Sequence, residues 1–251
     1  PATLPAHPGM TGQIMDRRVR NVKLPAAFSI TIVAMPYWMG IDIGTGGTRA
    51  LLVDPEGRVT AGFTAPHEDV RMAQPLWAEQ RPENWWDAAQ AAIHVVLGQA
   101  RISGDQVIGI GLSGQMHGLT LLDASGGVIR PALIWCDQRS QPQVDAINAR
   151  LGADRILAAI ANPVLTGFTL PKLLWVRDHD PASFERTRQV LLPKDYIRYC
   201  LTGEFASEVS DASGTALFDV VNRRWSQAML DGLGLDRSWL PTVVESPEVT
   251  G

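Results

Sequence analysis

The sequence predicts an α/β domain whose mixed sheet opens on a three-stranded antiparallel meander and is flanked by helices. Two observations carry this. Three short apolar runs follow one another closely, separated by glycine- and proline-bearing turns, and beyond them helical periodicity alternates with short strand-like runs. Tyr37 to Ile43, Arg49 to Asp54 and Val59 to Thr64 are the three strands, with Asp54-Pro55-Glu56-Gly57 as the turn between the last two. Arg81-Pro82-Glu83 opens a helix, because proline suits a first turn. Trp85, Trp86, Ala89, Ile93 and Val96 or Leu97 form its apolar face. Gly104 precedes Val107 to Ser113, a short apolar run expected to be a buried parallel strand. Leu119 to Leu122 and Ala132 to Cys136 are further strands around the turn Ala124-Ser125-Gly126-Gly127. From Asp137 the pattern turns mainly helical, through Gln143 to Leu151, Ala153 to Ile160 and a segment after Pro171. Val190 to Leu192 is a strand and Asp195 to Leu201 a helix. Ser207 to Phe218 is loop and edge strand, and Trp225 to Leu233 is a last helix.

Composition narrows the classes. The 251 residues are 45% hydrophobic and 19% charged, an ordinary globular balance that allows a sizeable core. A net charge of −4 argues against nucleic acid or an anionic membrane as partner. No run reaches the roughly 20 apolar residues that cross a bilayer. Cys136 and Cys200 lie far apart without Cys/His metal spacing, so buried free thiols in a cytoplasmic protein are expected. Residues 1–36 differ in character: Arg17, Arg18, Arg20 and Lys23 precede the apolar run Ala26 to Met35. That order is signal-peptide-like but lacks a clear small-residue cleavage site. The expectation is an extension outside the fold, with the domain spanning 37–251.

The stretch Gly40 to Asp54 carries the most chemistry. Its turn gathers the carboxylate of Asp42, two threonine hydroxyls and the guanidinium of Arg49. Glycines let backbone N–H groups approach an anion closely. Asp42, at the end of the first strand, is placed to hold Mg²⁺ directly or through water. A strand and not a helix follows the glycines, which disfavours a dinucleotide loop, and no Gly-Lys-Ser/Thr ends the turn. Asp42, Gly44, Thr45 and Arg49 are therefore candidates for one side of a phosphate cradle. An ordinary hairpin with a solvent-exposed Arg49 fits the same residues.

Three further groups stand out. Ser113-Gly114-Gln115-Met116-His117-Gly118 follows the end of the apolar strand, where ligands of open α/β sheets bind. Gln115 and His117 both donate and accept hydrogen bonds, and Met116 can pack on the apolar face of a sugar. A core histidine beside a loop is the alternative. Trp135-Cys136-Asp137-Gln138-Arg139 fits an aromatic wall with two polar groups, and equally a core Trp with an N-cap Asp and a surface Arg. Lys172 reads as a solvated helix residue. No Gly-x-Ser-x-Gly frame supports hydrolysis.

Three antiparallel strands followed by helix, strand and helix is the order of a ribonuclease-H-like domain, the fold of actin, the sugar kinases and the chaperone ATPases. Fold alone leaves function open. Several segments in order resemble the FGGY carbohydrate kinases: Trp77-Ala78-Glu79-Gln80 with Trp85-Trp86, Gly114 to Gly118 with Leu121-Leu122-Asp123, Gly167 to His179, which fits the family's first signature, Leu192 to Tyr196, Thr202 to Ser207, and Ser210 to Thr215. The resemblance runs from about Met39 to Gly251 and is greatest to the N-terminal, sugar-binding domain of the xylulose-kinase branch. It implies ATP-dependent phosphorylation of D-xylulose at its 5-hydroxyl. Asp42 and the Gly44/Thr45/Arg49 turn would face Mg²⁺-bound phosphates, and Gln115, Met116 and His117 the ketose. The family's general-base aspartate belongs to a second domain with no counterpart in these residues, so no useful turnover is expected of this chain alone. A kinase of gluconate, ribulose or glycerol, a non-catalytic sugar-binding module, and an actin-type ATPase are the other readings. Met116-His117 leaves gluconate open, and the Gln115–Gly118 loop speaks against the actin type. The expected partner is a small sugar. A homodimer is the assembly to test, because a docking face for a second domain would be apolar.

Overall fold

Alternating apolar residues build the first sheet. The computed structural model describes residues 36–251, so all but the last residue of the expected extension at 1–36 lies outside the described residues. β1 (Tyr37–Ile43), β2 (Gly47–Val53) and β3 (Val59–Pro66) pair antiparallel in sequence order, which is the expected meander. Met39, Ile41, Ile43, Ala50, Leu52, Ala61 and Ala65 are buried on one face, as a side-chain period of two requires. After β4 (Glu79–Gln80), helix α1 (Pro82–Ala100) covers that face. Pro82 sits in its first turn, where a missing N–H leaves no hydrogen bond unmade. Trp85, Ala88, Ala89, Ala92 and Val96 form the buried stripe. The alanines bring the helix close to the sheet, and Trp86, Ile93 and Leu97 line the margin of the stripe. The helix ends on Arg101 in the left-handed conformation, its N–H reaching the carbonyls of Leu97 and Gly98.

β5 (Val107–Gly114) runs parallel beside β1 and gives the order β3-β2-β1-β5. Then follow β6 (Thr120–Leu122), β7 (Ala132–Leu133), α2 (Gln141–Leu151), α3 (Ala153–Ile160), α4 (Thr169–His179), α5 (Pro181–Arg186) and β8 (Gln189–Leu191). α6 (Pro193–Thr202), β9 (Ala206–Glu208), α7 (Val209–Ala212), β10 (Phe218–Asp219), β11 (Arg224–Trp225), α8 (Gln227–Leu233) and β12 (Thr242–Val244) complete the described elements. β4 pairs with β7 and β6 with β8, both antiparallel, while β9 and β12 pair parallel.

Three expectations are corrected. β5 is not a buried strand: Ile108 and Ile110 are 59% and 48% exposed. It is an edge strand, α1 lies over β2 and β3, and α6 packs near the other end of β5, beside Gly114. The expected strand from Ala132 to Cys136 stops at Leu133, because Asp137 N–H bonds back to the Ile134 carbonyl and turns the chain. The polar stretch from Ser207 contains the short helix α7. The Glu208 carboxylate caps it, accepting from the N–H groups of Ser210 and Asp211 at 2.7 and 2.9 Å.

Two apolar cores result. One fills the space between sheet, α1 and α6; the other lies among α2, α3, α4 and α8. β6 and β7 belong to both, with Leu121 and Leu133 on one side and Leu122 and Ala132 on the other. The loops after β1, β5 and β7 emerge near this junction.

Candidate functional site

The β1–β2 turn exposes a carboxylate on the sheet face opposite the core. Ser113 lies beside Asp42 in the parallel β1–β5 pairing, and its hydroxyl donates to Asp42 Oδ1 at 2.7 Å. Arg49 is Asp42's partner across β2, and both are exposed. Gly44 N–H closes the turn on the Gly47 carbonyl at 3.0 Å, so it is already used; the N–H groups of Thr45 and Gly46 have no acceptor among the described residues. Thr45 is held tightly. Its carbonyl accepts from Gln80 Nε2 at 2.7 Å and His67 Nδ1 at 3.3 Å, and its hydroxyl accepts from Trp135 Nε1 at 2.9 Å. A carbonyl only accepts, so the His67 proton sits on Nδ1. Burial lowers the pKa of His67, which leaves Nε2 to accept from the Thr48 hydroxyl at 2.8 Å.

The second loop continues from β5. Gln115 N–H bonds to the Ile43 carbonyl at 2.7 Å, which brings this loop beside the β1–β2 turn. Gln115 itself is buried; its Nε2 donates to Gln80 Oε1 at 3.0 Å and lies 3.5 Å from the Gly44 carbonyl. Its amide is thus directed inward, while Met116 is exposed. His117 adopts φ 63°, a region sparsely populated by residues other than glycine. Three side chains support it. Lys172 Nζ and Thr169 Oγ1 donate to its carbonyl, each at 3.2 Å, and Phe168 packs on its ring at 4.6 Å between centroids. Its Nδ1 donates to the Gly214 carbonyl at 2.7 Å. Burial, helped by the Lys172 charge, lowers the His117 pKa against the pull of that carbonyl. The neutral ring with its proton on Nδ1 leaves Nε2 as an acceptor for a hydroxyl. A side chain at Gly214 would collide with this ring.

Lys172 is not solvated. It is 0% exposed and also donates to the Gly167 carbonyl at 2.5 Å. Burial pushes its pKa down to about 7 against the attraction of Asp137. The folded state therefore holds this proton less tightly than the unfolded chain. Between about 7 and the ordinary 10.5 the unfolded state binds more protons, so this group adds stability as pH rises. Thermal denaturation should show the protein gaining stability over that range relative to Lys172→Met; parallel curves would contradict it. A neutral amine still has two N–H donors for two carbonyls, so the His117 turn stays held throughout.

The Trp135–Arg139 stretch divides. Trp135 is 45% exposed beside Thr45, as an aromatic wall requires and a core Trp does not. Asp137 and Arg139, expected as N-cap and surface residues, are buried. Arg139 bridges Asp137 and Glu79 at 2.7 and 2.8 Å, and its guanidinium lies 3.7 Å from the Trp77 ring centroid. Ala78 N–H also donates to Asp137, at 2.7 Å. Pairing and hydrogen bonding offset the desolvation of these charges.

Among the sequence candidates, Asp42, Thr45, Gln115, Met116 and His117 converge at the adjacent ends of β1 and β5, with Gly44 as turn former and Arg49 across the strand. Sequence reasoning missed the roles of Ser113, Gln80, Lys172 and Gly214. Gln80 carried a readable signal: a polar pair one residue before a proline-started helix whose first buried aromatic residue is Trp85.

The model of the N-terminal domain of the FGGY family of carbohydrate kinases matches residues 37–251. The xylulose kinase of Escherichia coli (strain K12) is 43% identical over 214 residues, 85% of this chain and 43% of that protein. The xylulose kinase of Klebsiella pneumoniae is 44% identical over the same length. The chain thus spans under half the length of these curated relatives. Among solved structures, a "xyloylose kinase" from Brucella ovis superposes with a TM-score of 0.81 at 40% identity, over 86% of this chain and 44% of that one. A gluconate kinase from Lactobacillus acidophilus superposes with a TM-score of 0.77 at 26% identity, over 84% of this chain and 42% of that one. The fold is the ribonuclease-H-like one that the order of elements predicts. With its opening meander, its paired loops and a match over all but the first residues, the chain belongs to the FGGY family of carbohydrate kinases.

Proposed function

We propose that this domain forms the sugar side and one phosphate wall of an ATP-dependent kinase that phosphorylates D-xylulose at its 5-hydroxyl. The observation that carries this is the adjacency of two loops. The turn bearing Asp42 and Thr45 and the loop bearing Met116 and His117 leave neighbouring strand ends and are joined through Gln80 and Gln115. Phosphoryl transfer depends on holding acceptor and phosphate in line and neutralising charge. His117 Nε2 accepts from a sugar hydroxyl, Met116 covers an apolar sugar face, and Trp135 walls the cleft. The N–H groups of Thr45 and Gly46, with Arg49, face the phosphates.

Mg²⁺ fits the residues present. Asp42 offers an exposed carboxylate with one oxygen oriented by Ser113, and Mg²⁺ is commonly bound by one or two carboxylates, its shell completed by water and phosphate oxygens. When bound, the ion neutralises phosphate charge. General-base duty is assigned to no residue of this domain.

Relatives that are xylulose kinases, at 37–44% identity, support the ketopentose over gluconate. Titration with D-xylulose tests this assignment, with D-gluconate and glycerol beside it: preference for xylulose is expected, and tighter binding of gluconate would overturn it. The unpaired Cys136 and Cys200 support a cytoplasmic location. Among the described residues no helix is long and apolar enough to cross a membrane. Exposed Ile108 and Ile110, on one face of the edge strand β5, support self-association as a homodimer; a monodisperse monomer by light scattering would count against it.

A further inference from the structure

We infer that Gln80 is a positioning residue to which the phosphate-side turn and the sugar loop are separately anchored, so that the placement of both loops depends on this one side chain. This rests on the kinase reading for its purpose, though not for its geometry. Gln80 is buried, and its amide serves both loops at once. Its oxygen accepts from Trp85 Nε1 at 3.1 Å and from Gln115 Nε2 at 3.0 Å. Its nitrogen donates to the Thr45 carbonyl at 2.7 Å.

The backbone behind it is immobilised. Gln80 pairs with Ala132 across β4 and β7. Ala78 donates to Asp137 and accepts from the Ile134 N–H, and the Glu79 carboxylate accepts from Arg139 at 2.8 Å and Arg130 at 3.1 Å. Gln80 is thus a fixed post with an acceptor and a donor at one tip. Only an amide of this length supplies both: a carboxylate lacks the donor, and a thioether has neither in useful strength. The remaining side-chain link between the loops, from Gln115 Nε2 to the Gly44 carbonyl, is long at 3.5 Å.

Two substitutions separate the two halves of this bridge. In Gln80→Met all three hydrogen bonds go at nearly constant volume. In Gln80→Glu an ionised carboxylate still accepts from Trp85 and Gln115, but it meets the Thr45 carbonyl without a proton. Once protonated, the substituted carboxyl can donate to Thr45 again.

Nitrogen-15 NMR of the ligand-free 251-residue chain reads this directly. For Gln80→Met, the Trp85 indole signal and the amides of both Thr45–Gly46 and Gln115–His117 are expected to move. For Gln80→Glu, only Thr45 and Gly46 move, returning towards wild-type positions on acidification, with wild type measured at each pH. Movement of the Trp85 indole alone in Gln80→Met, or equal pH-independent movement of both loops in Gln80→Glu, would overturn the inference. If Gln80→Met fails to fold, Gln80→Glu decides. Added D-xylulose should shift the Trp135 indole signal, which reports on Thr45, in wild type but not in Gln80→Met, and bind about tenfold more weakly to the variant. An unchanged affinity and an unchanged Trp135 response in the variant would also overturn the inference. A wild type that binds no xylulose would defeat the substrate reading, while the ligand-free signals would still decide the role of Gln80.

Discussion

Replacing Asp42 by asparagine is expected to lower kcat roughly 10²–10³-fold in a two-domain enzyme carrying this domain, with KM for the sugar changed less than about threefold. Asparagine keeps an oxygen that accepts from Ser113, so the strand end and the Met116–His117 loop stay in place. What goes is the negative charge on the open face of the sheet. That charge acts where the phosphates are neutralised and not where the sugar is recognised, hence the effect on kcat alone. A rise in KM with kcat unchanged would move Asp42 from the phosphate side to the sugar side. Wild-type kinetics in the variant would remove it from the mechanism.

Trp85→Ala should destabilise the domain by about 3–5 kcal/mol. Trp85 is 0% exposed and belongs to the core between α1 and the sheet, where its removal would leave a large cavity. Total stabilities of 5–15 kcal/mol are typical, so the loss removes a large share. Trp85→Phe keeps most of the packing and loses only the indole donor to Gln80, which still holds Gln115 and Thr45; about 1 kcal/mol is expected. Urea denaturation of both variants measures the difference. A loss below about 1 kcal/mol for Trp85→Ala would mean that the helix–sheet interface contributes little to stability.

How much was legible in the sequence follows from how local each signal is. The meander, α1 and the paired loops depend on alternation, turn residues and strand ends within a few positions, and they are found where the residues predict. The exposure of β5 depends on which elements lie beside it, and an apolar run cannot report its neighbours. Lys172 shows the same limit from the other side. At its position in sequence it resembles any helix lysine, and its burial follows only when the loops at His117 and Gly167 close over it. Asp137 and Arg139 are two residues apart, yet the partner that buries them, Glu79, is contributed by a strand about sixty residues earlier. The placement of Asp42 and His117 at strand ends was readable because both adjoin glycine-rich turns; the residues that hold these loops, Ser113, Gln80 and Gly214, act through distant contacts.

The placement of a ketose at the end of β5 is tested most directly by calorimetric titration of this chain with D-xylulose, repeated with His117→Ala. Binding of xylulose that is at least about tenfold weaker in the variant is expected, because the variant loses both the Nε2 acceptor and the ring packed between Phe168 and Gly214. Equal binding by wild type and His117→Ala would contradict it and place the sugar elsewhere in the domain.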